Sequence, residues 1–255
     1  MNLKFITCSG ANENTSIEDL VNTFSNIYVP EVVLGVQVSG KKASFGTARY
    51  WWLRALYGFL EVNDENLNVS LHVNQDWVER FIKGDVPQEL DYFLRLQRDY
   101  NVPFIKTVQL NFKLGRESKP DVEKLLKTVD RYKRQRFILS CSRDNIEFIE
   151  HLLAKSYYDF WLLYDDSFGE GVKCENWKAP LFDNVLQGYA GGLSPENILT
   201  ELNKIEKVVG ENKLIFVDAE GKLKGDDGKF SIKKAEKFVS QCVAFFDEKN
   251  EKAEI

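Results

Sequence analysis

Short runs of Val, Ile, Leu and Phe alternate with longer segments of helical spacing along this 255-residue chain. The alternation repeats eight times, and such a pattern is typical of parallel strands joined by crossover helices. Eight units without an interrupting linker favour an α/β fold with residues 1–255 in a single (β/α)₈ TIM barrel, a fold of roughly 250 residues. An open doubly wound sheet and a division into two domains stay open as alternatives. The predicted strands are 3–8, 31–38, 67–73, 104–112, 136–142, 159–165, 184–188 and 213–217.

Helices are predicted in the segments between these strands. Ser194 and Pro195 predict the start of the helix after strand seven, because Ser caps free N–H groups and Pro fits the first turn. In the third unit, Gly84 separates two helical pieces. The predicted helices are 17–25, 47–60, 75–82, 87–98, 121–132, 145–155, a short piece at 177–182, one that opens at 194, and 231–246.

Charge and hydropathy exclude several classes of partner. The net charge of −5 argues against nucleic acid and acidic membranes, because clustered Lys and Arg bind phosphate backbones. No apolar run approaches the roughly 20 residues that span a bilayer, and the N-terminus lacks a signal-peptide pattern, so we expect a cytoplasmic protein. The basic run 131–136 is interpreted as a solvated helix end before strand five, with a local basic patch as the alternative.

The cysteines and histidines restrict the chemistry further. Four cysteines lie far apart without a CxxC pair, which predicts free thiols rather than a zinc site or a disulfide framework. The two histidines, His72 and His151, fall within a predicted strand and a predicted helix. Neither is expected at the mouth of the barrel, so His-dependent triads and His-rich metal sites are not predicted.

Candidate site residues follow from the fold, because active sites of TIM barrels lie at the carboxyl ends of the strands. Asp165 ends an apolar strand, where burial can raise the pKa of a carboxyl into the range of a general acid, and Asp166 beside it competes for that role. Cys8 ends strand one and is either a base or a small buried side chain. The polar residues at predicted strand ends are Cys8, Asn111, Ser142, Asp165 and Asp218.

A phosphate site is predicted after strands seven and eight. Gly191 and Gly192 precede the helix start at Ser194, and glycine lets the backbone N–H groups approach an anion closely. Gly221 lies in the loop after strand eight, the other loop that commonly holds phosphate in this fold. The alternative is that Gly191 and Gly192 only make a turn into the helix.

Several of these segments resemble the phosphoribosylanthranilate isomerase family of tryptophan biosynthesis. Residues 162–165 read Leu-Leu-Tyr-Asp, where the family has Leu-Leu-Leu-Asp, and a Gly-containing loop then leads to Trp177. Residues 188–197 read Gly-Tyr-Ala-Gly-Gly-Leu-Ser-Pro-Glu-Asn, similar to the family's Gly-Gly-Leu-Asn-Pro-Glu-Asn phosphate loop. Weaker similarities lie at 71–74, 108–111 and 216–218, so the matched pieces are in order over nearly the whole chain.

The resemblance implies a function and a role for each matched residue. It implies an Amadori rearrangement of a phosphoribosyl amine, with Asp165 as the general acid and Cys8 as the general base. Such a reaction takes a phosphorylated small-molecule substrate, requires no metal or organic cofactor, and is expected from a monomer or a homodimer. Binding of the substrate and its phosphate is assigned to Asn111, Gly191, Gly192, Asp218 and the backbone around Gly221.

The chain also departs from the family at the substrate. Ser44 and Phe45 stand where the family has an Arg-Tyr pair that grips the substrate, and Lys42 or Arg49 is the expected replacement. Glu220 brings a carboxylate into the last phosphate loop, where an added negative charge lowers affinity for an anion.

Two alternative functions therefore stay open. One is a diverged barrel that binds or transforms another phosphorylated or acidic metabolite, without isomerase activity. The other is a non-catalytic interaction module, for which the aromatic run 50–52, Tyr-Trp-Trp, is the argument. Packing of a helix against the barrel is the simpler interpretation of that run.

Overall fold

In a computed structural model, eight parallel strands close into a barrel in which β1 pairs with both β2 and β8. The structure describes residues 1–25, 27, 31–98, 101–114, 120–142, 144–165, 174, 176–211 and 213–253. The predicted (β/α)₈ TIM barrel is confirmed, and the closed strand order excludes the open sheet. The strands are β1 (Asn2–Ser9), β2 (Glu31–Val38), β3 (Asn68–Val73), β4 (Ile105–Leu110), β5 (Arg136–Cys141), β6 (Trp161–Tyr164), β7 (Gln187–Ala190) and β8 (Leu214–Ala219).

Helices surround the barrel and bury their apolar faces against it. Ser16 and Thr47 cap α1 and α3, each accepting a hydrogen bond from a backbone N–H of the first turn. Asp121 caps α6 in the same way. The helices are α1 (Ile17–Phe24), α2 (Gly40–Ala43), α3 (Ala48–Val62), α4 (Gln75–Ile82), α5 (Gln88–Arg95), α6 (Val122–Asp130), α7 (Ile146–Lys155), α8 (Ile198–Val209) and α9 (Ile232–Ala253), with a 3₁₀ turn at Gly221–Leu223.

Some predicted boundaries were wrong. Residues 177–182 form no helix, contrary to the prediction, since Pro180 lacks the N–H that a helix needs there. The helix predicted to reach residue 98 ends at Arg95, because 97–98 instead pair with 102–103 in a small antiparallel ladder. The helix predicted to open at Ser194 begins at Ile198 after a turn. The short helix α2 was not predicted, and Asp166 lies outside the described residues.

The barrel interior is a small apolar cluster that forms the base on which the site stands. Because side chains alternate across a strand, a residue two positions from an inward residue also points inward. Phe5 stacks on Phe216 with ring centroids 4.4 Å apart. The same faces of their strands carry Ser9 and Asp218 nearer the carboxyl ends. The cluster comprises Phe5, Val33, Ile138, Leu163, Ala190 and Phe216.

The cysteines and the aromatic run 50–52 lie mostly inside the protein. All four cysteines are buried and lie outside any disulfide, as predicted. Tyr50 and Trp52 of the aromatic run pack into the core, whereas Trp51 is 57% exposed, so helix packing accounts for two of the three rings. Among the described residues, no helix is both long enough and apolar enough to cross a membrane.

Candidate functional site

A cavity of about 420 Å³ opens at the carboxyl ends of the barrel strands. Seven residues were given a catalytic or binding role from the sequence, and the fold brings six of them to the cavity wall, although they come from several different strand ends. Much of its wall is polar, with carboxylates, amides and lysine side chains. The six predicted residues at the wall are Asn111, Asp165, Gly191, Gly192, Asp218 and Gly221.

Cys8 is the one of these seven residues that the structure does not bring to the cavity. Its side chain is fully buried in the main core between the strands and the helices, close to Cys242 of α9. Burial raises the pKa of the Cys8 thiol well above its usual value, and Cys242 and Asp218 raise it further. A buried thiol that retains its proton is a poor base. The expectation that Cys8 is the catalytic base is corrected accordingly, in favour of the alternative that it is a small buried side chain.

Ser9, one residue along β1, points into the barrel instead. Its hydroxyl donates a 2.6 Å hydrogen bond to Oδ1 of Asp218 on the neighbouring strand β8. Burial, and to a lesser extent the nearby charge of Asp165, raise the pKa of the Asp218 carboxyl to about 7, against the opposing effect of hydrogen bonds from Ser9 and Gln109. Asp218 can therefore gain and lose a proton near neutral pH.

His72 occupies a fully buried position in β3, below the cavity. The side-chain amide of Gln109 approaches its Nδ1 at 3.3 Å, which assigns the ring proton to Nε2. Burial lowers the pKa of His72 to about 4, so the ring is neutral at physiological pH. A Cβ on Gly35 would lie 2.2 Å from Oγ of Ser9 and 2.9 Å from the His72 ring, so only glycine fits there.

A chain of side-chain amides fixes the orientation of Asn111. Gln109 donates a 3.0 Å hydrogen bond to Oδ1 of Asn111, and Asn111 donates one of the same length to Oδ1 of Asn74. Asn74 in turn donates to the backbone carbonyl of His72 at 2.8 Å. The amides thus present defined donors and acceptors to a ligand in the cavity.

Glu220 reaches across the mouth toward β2. Its Oε1 accepts a 2.5 Å hydrogen bond from Nε2 of Gln37, and the ammonium of Lys42 donates to Oε1 of the same Gln37. Burial raises the pKa of Glu220, and the Asp218 charge raises it further. Gln37 belongs to β2 and Lys42 to α2, so the Glu220 carboxylate points toward the side of the cavity mouth that β2 and α2 form.

The two residues expected to replace the family's arginine have different positions. Lys42 lines the cavity. Arg49 is buried, pairs with Glu13, and donates a 2.9 Å hydrogen bond to the backbone carbonyl of Gln37. Its guanidinium therefore supports the chain under the rim, whereas the Lys42 ammonium is available at the cavity wall.

Gly191 and Gly192 form a buried turn at the end of β7. Their φ angles are 114° and 65°, a region that favours glycine. Within the described part of the chain, the backbone N–H groups of Gly191, Gly192 and Leu193 donate no hydrogen bond. The turn is held from behind, since the side-chain amide of Asn197 donates to the carbonyl of Gly192 at 2.9 Å. Such buried N–H groups are suited to an anion.

Sequence reasoning missed several polar residues of the site. Ser9, Gln37, His72 and Gln109 all lie in strands whose other buried residues are mostly apolar, and this contrast was the available signal. Ser140, rather than the predicted Ser142, lines the cavity. No group of three or more His, Cys, Asp or Glu among the described residues is arranged to hold a metal ion.

The chain has distant likenesses among solved structures. No protein-family model matches the chain, and no curated protein sequence matches it. Thiamine phosphate pyrophosphorylase from Pyrococcus furiosus is 12% identical, with a TM-score of 0.45 over 95% of this chain and 96% of that one. A mutant tryptophan synthase alpha-subunit from the same organism is 11% identical, with a TM-score of 0.45 over 84% of this chain and 86% of that one. Neither likeness carries an argument about function.

Proposed function

We propose that this barrel is an enzyme that binds a phosphorylated small molecule and isomerises it by proton transfer, in the manner of phosphoribosylanthranilate isomerase. The observation that carries the proposal is the pair of carboxyls at the cavity wall, Asp165 and Asp218, of which Asp218 has a pKa of about 7. A general acid or base is most effective when its pKa lies near the working pH.

The phosphate of the substrate is assigned to the loops after β7 and β8. Support comes from the N–H groups at Gly191 and Gly192 and from Gly221 at the same wall. The ammonium groups of Lys42 and Lys222 at the rim add positive charge. A volume of about 420 Å³ is adequate for a sugar phosphate with a small substituent, since small-molecule pockets span roughly 300–1,000 Å³.

The catalytic roles differ from those expected from the sequence. The residue at the end of β1 that faces the barrel interior is Ser9, which donates to Asp218, rather than Cys8. A serine hydroxyl does not act as a base at neutral pH without a partner. Asp218, in its ionised form, would therefore remove the proton from the second sugar carbon, while Asp165, which must carry a proton for this step, would protonate the ring oxygen as the ribose ring opens.

A second candidate function is favoured by Glu220. Its carboxylate at the cavity wall and the serine in place of a reactive thiol both suit a barrel that binds or transforms another phosphorylated or acidic metabolite. Both candidate functions use the same phosphate site. They differ in the substrate and in the reaction that the neighbouring side chains would carry out.

The direct test is turnover of phosphoribosylanthranilate by the purified protein, followed by the change in anthranilate fluorescence. Turnover that is lost in Asp165→Asn supports the isomerase. Absence of turnover together with binding of inorganic phosphate would favour the second candidate. Absence of both turnover and phosphate binding would reject both candidates.

Gly191→Ala is expected to weaken binding of inorganic phosphate by about tenfold or more, because hydrogen bonds to a charged group contribute roughly 1.5–3 kcal/mol. The added Cβ is strained at this φ and stands in the way of the anion. Gly210→Ala is the matched control, since Gly210 has a φ of 86° and no atom within 4 Å of an added Cβ. Titration calorimetry of both variants measures the difference in phosphate affinity. An equal affinity in the two variants would show that phosphate does not bind at this turn.

A further inference from the structure

A second pocket lies at the opposite end of the barrel, where β4, β5 and β6 begin. Its volume is about 320 Å³. The basic run 131–136 supplies one wall, and the first residue of β5, Arg136, belongs to it. The proposed reaction uses none of these residues, because the cavity described above lies at the carboxyl ends of the strands.

Positive charge dominates this pocket. Four of its lining residues are cationic, namely Lys106, Lys133, Arg134 and Arg136, and one is a carboxylate, Asp159. Arg136 already engages that carboxylate, with Nη1 2.7 Å from Oδ2 and 3.0 Å from the backbone carbonyl of the same residue. Within the described residues, Lys106, Lys133 and Arg134 have no carboxylate within ion-pair distance.

Lys106 is directed to this pocket by an irregularity in the sheet. The register of β3 and β4 shifts between Val69, which pairs with Ile105, and Ser70, which pairs with Thr107. The extra residue, Lys106, is therefore re-aimed relative to its neighbours, as β-bulges do. It is half-buried, and burial lowers the pKa of its ammonium while the Glu31 charge opposes that effect. A bound anion would stabilise this ammonium.

Two arginines form the adjoining part of the wall. The guanidinium of Arg136 lies over the Trp161 ring, 4.9 Å from its centroid. Arg134 makes one long hydrogen bond, 3.3 Å, to the carbonyl of Asn101. Phe137 and Phe160 supply the buried apolar base beneath these groups. Guanidinium groups held in place are well suited to phosphate oxygens.

We propose that this pocket is a second anion site, which binds a compact phosphorylated small molecule carrying two or more negative charges. Three cations share this pocket, and none of them has a carboxylate partner in the described part of the chain. The overall composition does not explain this cluster, because the chain has a net charge of −5. Like charges brought together repel, and a polyanion between them reverses the sign of that interaction. The small volume suits pyrophosphate or a phosphomonoester.

The experiment uses inorganic pyrophosphate as the probe and acetylation of lysines as the readout. The full-length protein is acetylated with and without pyrophosphate, and each lysine is quantified by mass spectrometry. We expect protection of Lys106 and Lys133, with Lys155 and Lys207 on α7 and α8 unchanged. Protection of Lys42 and Lys222 reports separately on the cavity, so a failure of the proposed function and a failure of this site give different patterns.

A charge-matched pair of variants completes the test. Lys133→Gln with Arg134→Gln is expected to weaken binding at this site by about tenfold or more, whereas Lys155→Gln with Lys207→Gln removes the same charge elsewhere and should leave it unchanged. Thermal unfolding verifies that both variants fold. The proposal would be overturned if pyrophosphate did not protect Lys106 and Lys133, or if both double variants lost the same amount of pyrophosphate affinity. Protection by single-stranded RNA but not by pyrophosphate would also overturn it.

Discussion

Asp218→Asn is expected to lower kcat/KM for the proposed isomerisation by about 10²–10⁴-fold, the usual contribution of a general base. The amide has nearly the same shape and can still accept the hydrogen bond from Ser9, but it cannot take a proton. Asp183→Asn is the control, because Asp183 is a highly exposed aspartate that only approaches Lys213 at 3.8 Å. Steady-state kinetics of the two variants would decide the matter, and near-normal turnover in Asp218→Asn would assign the base elsewhere.

The pH dependence of the wild-type reaction should reflect the same carboxyl. The base form of Asp218 is ionised, and its pKa is about 7, so kcat/KM should rise as pH increases through about 7. A profile that is flat between pH 5 and pH 8 would contradict the assignment.

Asp218 should also make the folded state less stable at high pH. Its folded pKa of about 7 lies above the usual 3.8, so its protonated form is favoured in the folded state. The stabilising contribution is complete below pH 3.8, falls as pH rises, and is lost above about 7. The loss amounts to at most about 4 kcal/mol, since one pKa unit is worth about 1.4 kcal/mol.

Asp218→Asn should lack this loss. Urea unfolding at pH 4 and pH 8 should therefore show that the free energy of unfolding falls more for wild type than for the variant. Other titrating groups are common to both proteins and cancel in the comparison. An identical pH dependence in the two proteins would mean that the carboxyl is not buried as described.

Gly188→Ala is expected to destabilise the fold by about 3 kcal/mol, the upper end of the usual cost of overpacking. An added Cβ would lie 2.2 Å from Cε2 and Cζ of the Phe216 ring, inside the barrel. Phe216 cannot move away easily, because it is fully buried and stacked on Phe5. Chemical denaturation measures the change in the free energy of unfolding.

Gly58→Ala provides the opposite case. Gly58 lies in α3 with no atom within 4 Å of an added Cβ. Alanine there should stabilise the protein by about 0.5–1 kcal/mol, because glycine loses more backbone entropy in a helix. If both substitutions changed stability in the same direction and by the same amount, close packing at Gly188 would not be the cause.

The sequence was informative wherever the signal was local. The alternation of apolar runs with helical segments depends on neighbouring residues, and it predicted all eight barrel strands. Asp165 and Gly191 could be assigned to strand ends in the same way, and both line the cavity. The errors at 177–182 and after Ser194 were also local, and Pro180 could have corrected the first.

The choice between Cys8 and Ser9 could not be made from the sequence. Both are small residues at the end of β1, and a change of one position moves a side chain from the cavity to the core. Closure of the barrel fixes the choice, because β8 pairs beside β1 and brings Asp218 to Ser9 across 209 positions of sequence. The raised pKa of Asp218 likewise arises from burial by the whole fold. The sequence alone thus determined the number and order of the barrel strands and located their carboxyl ends to within two residues. Only the tertiary structure decided which side chains meet there, since pairing register and burial depend on residues distant in the chain.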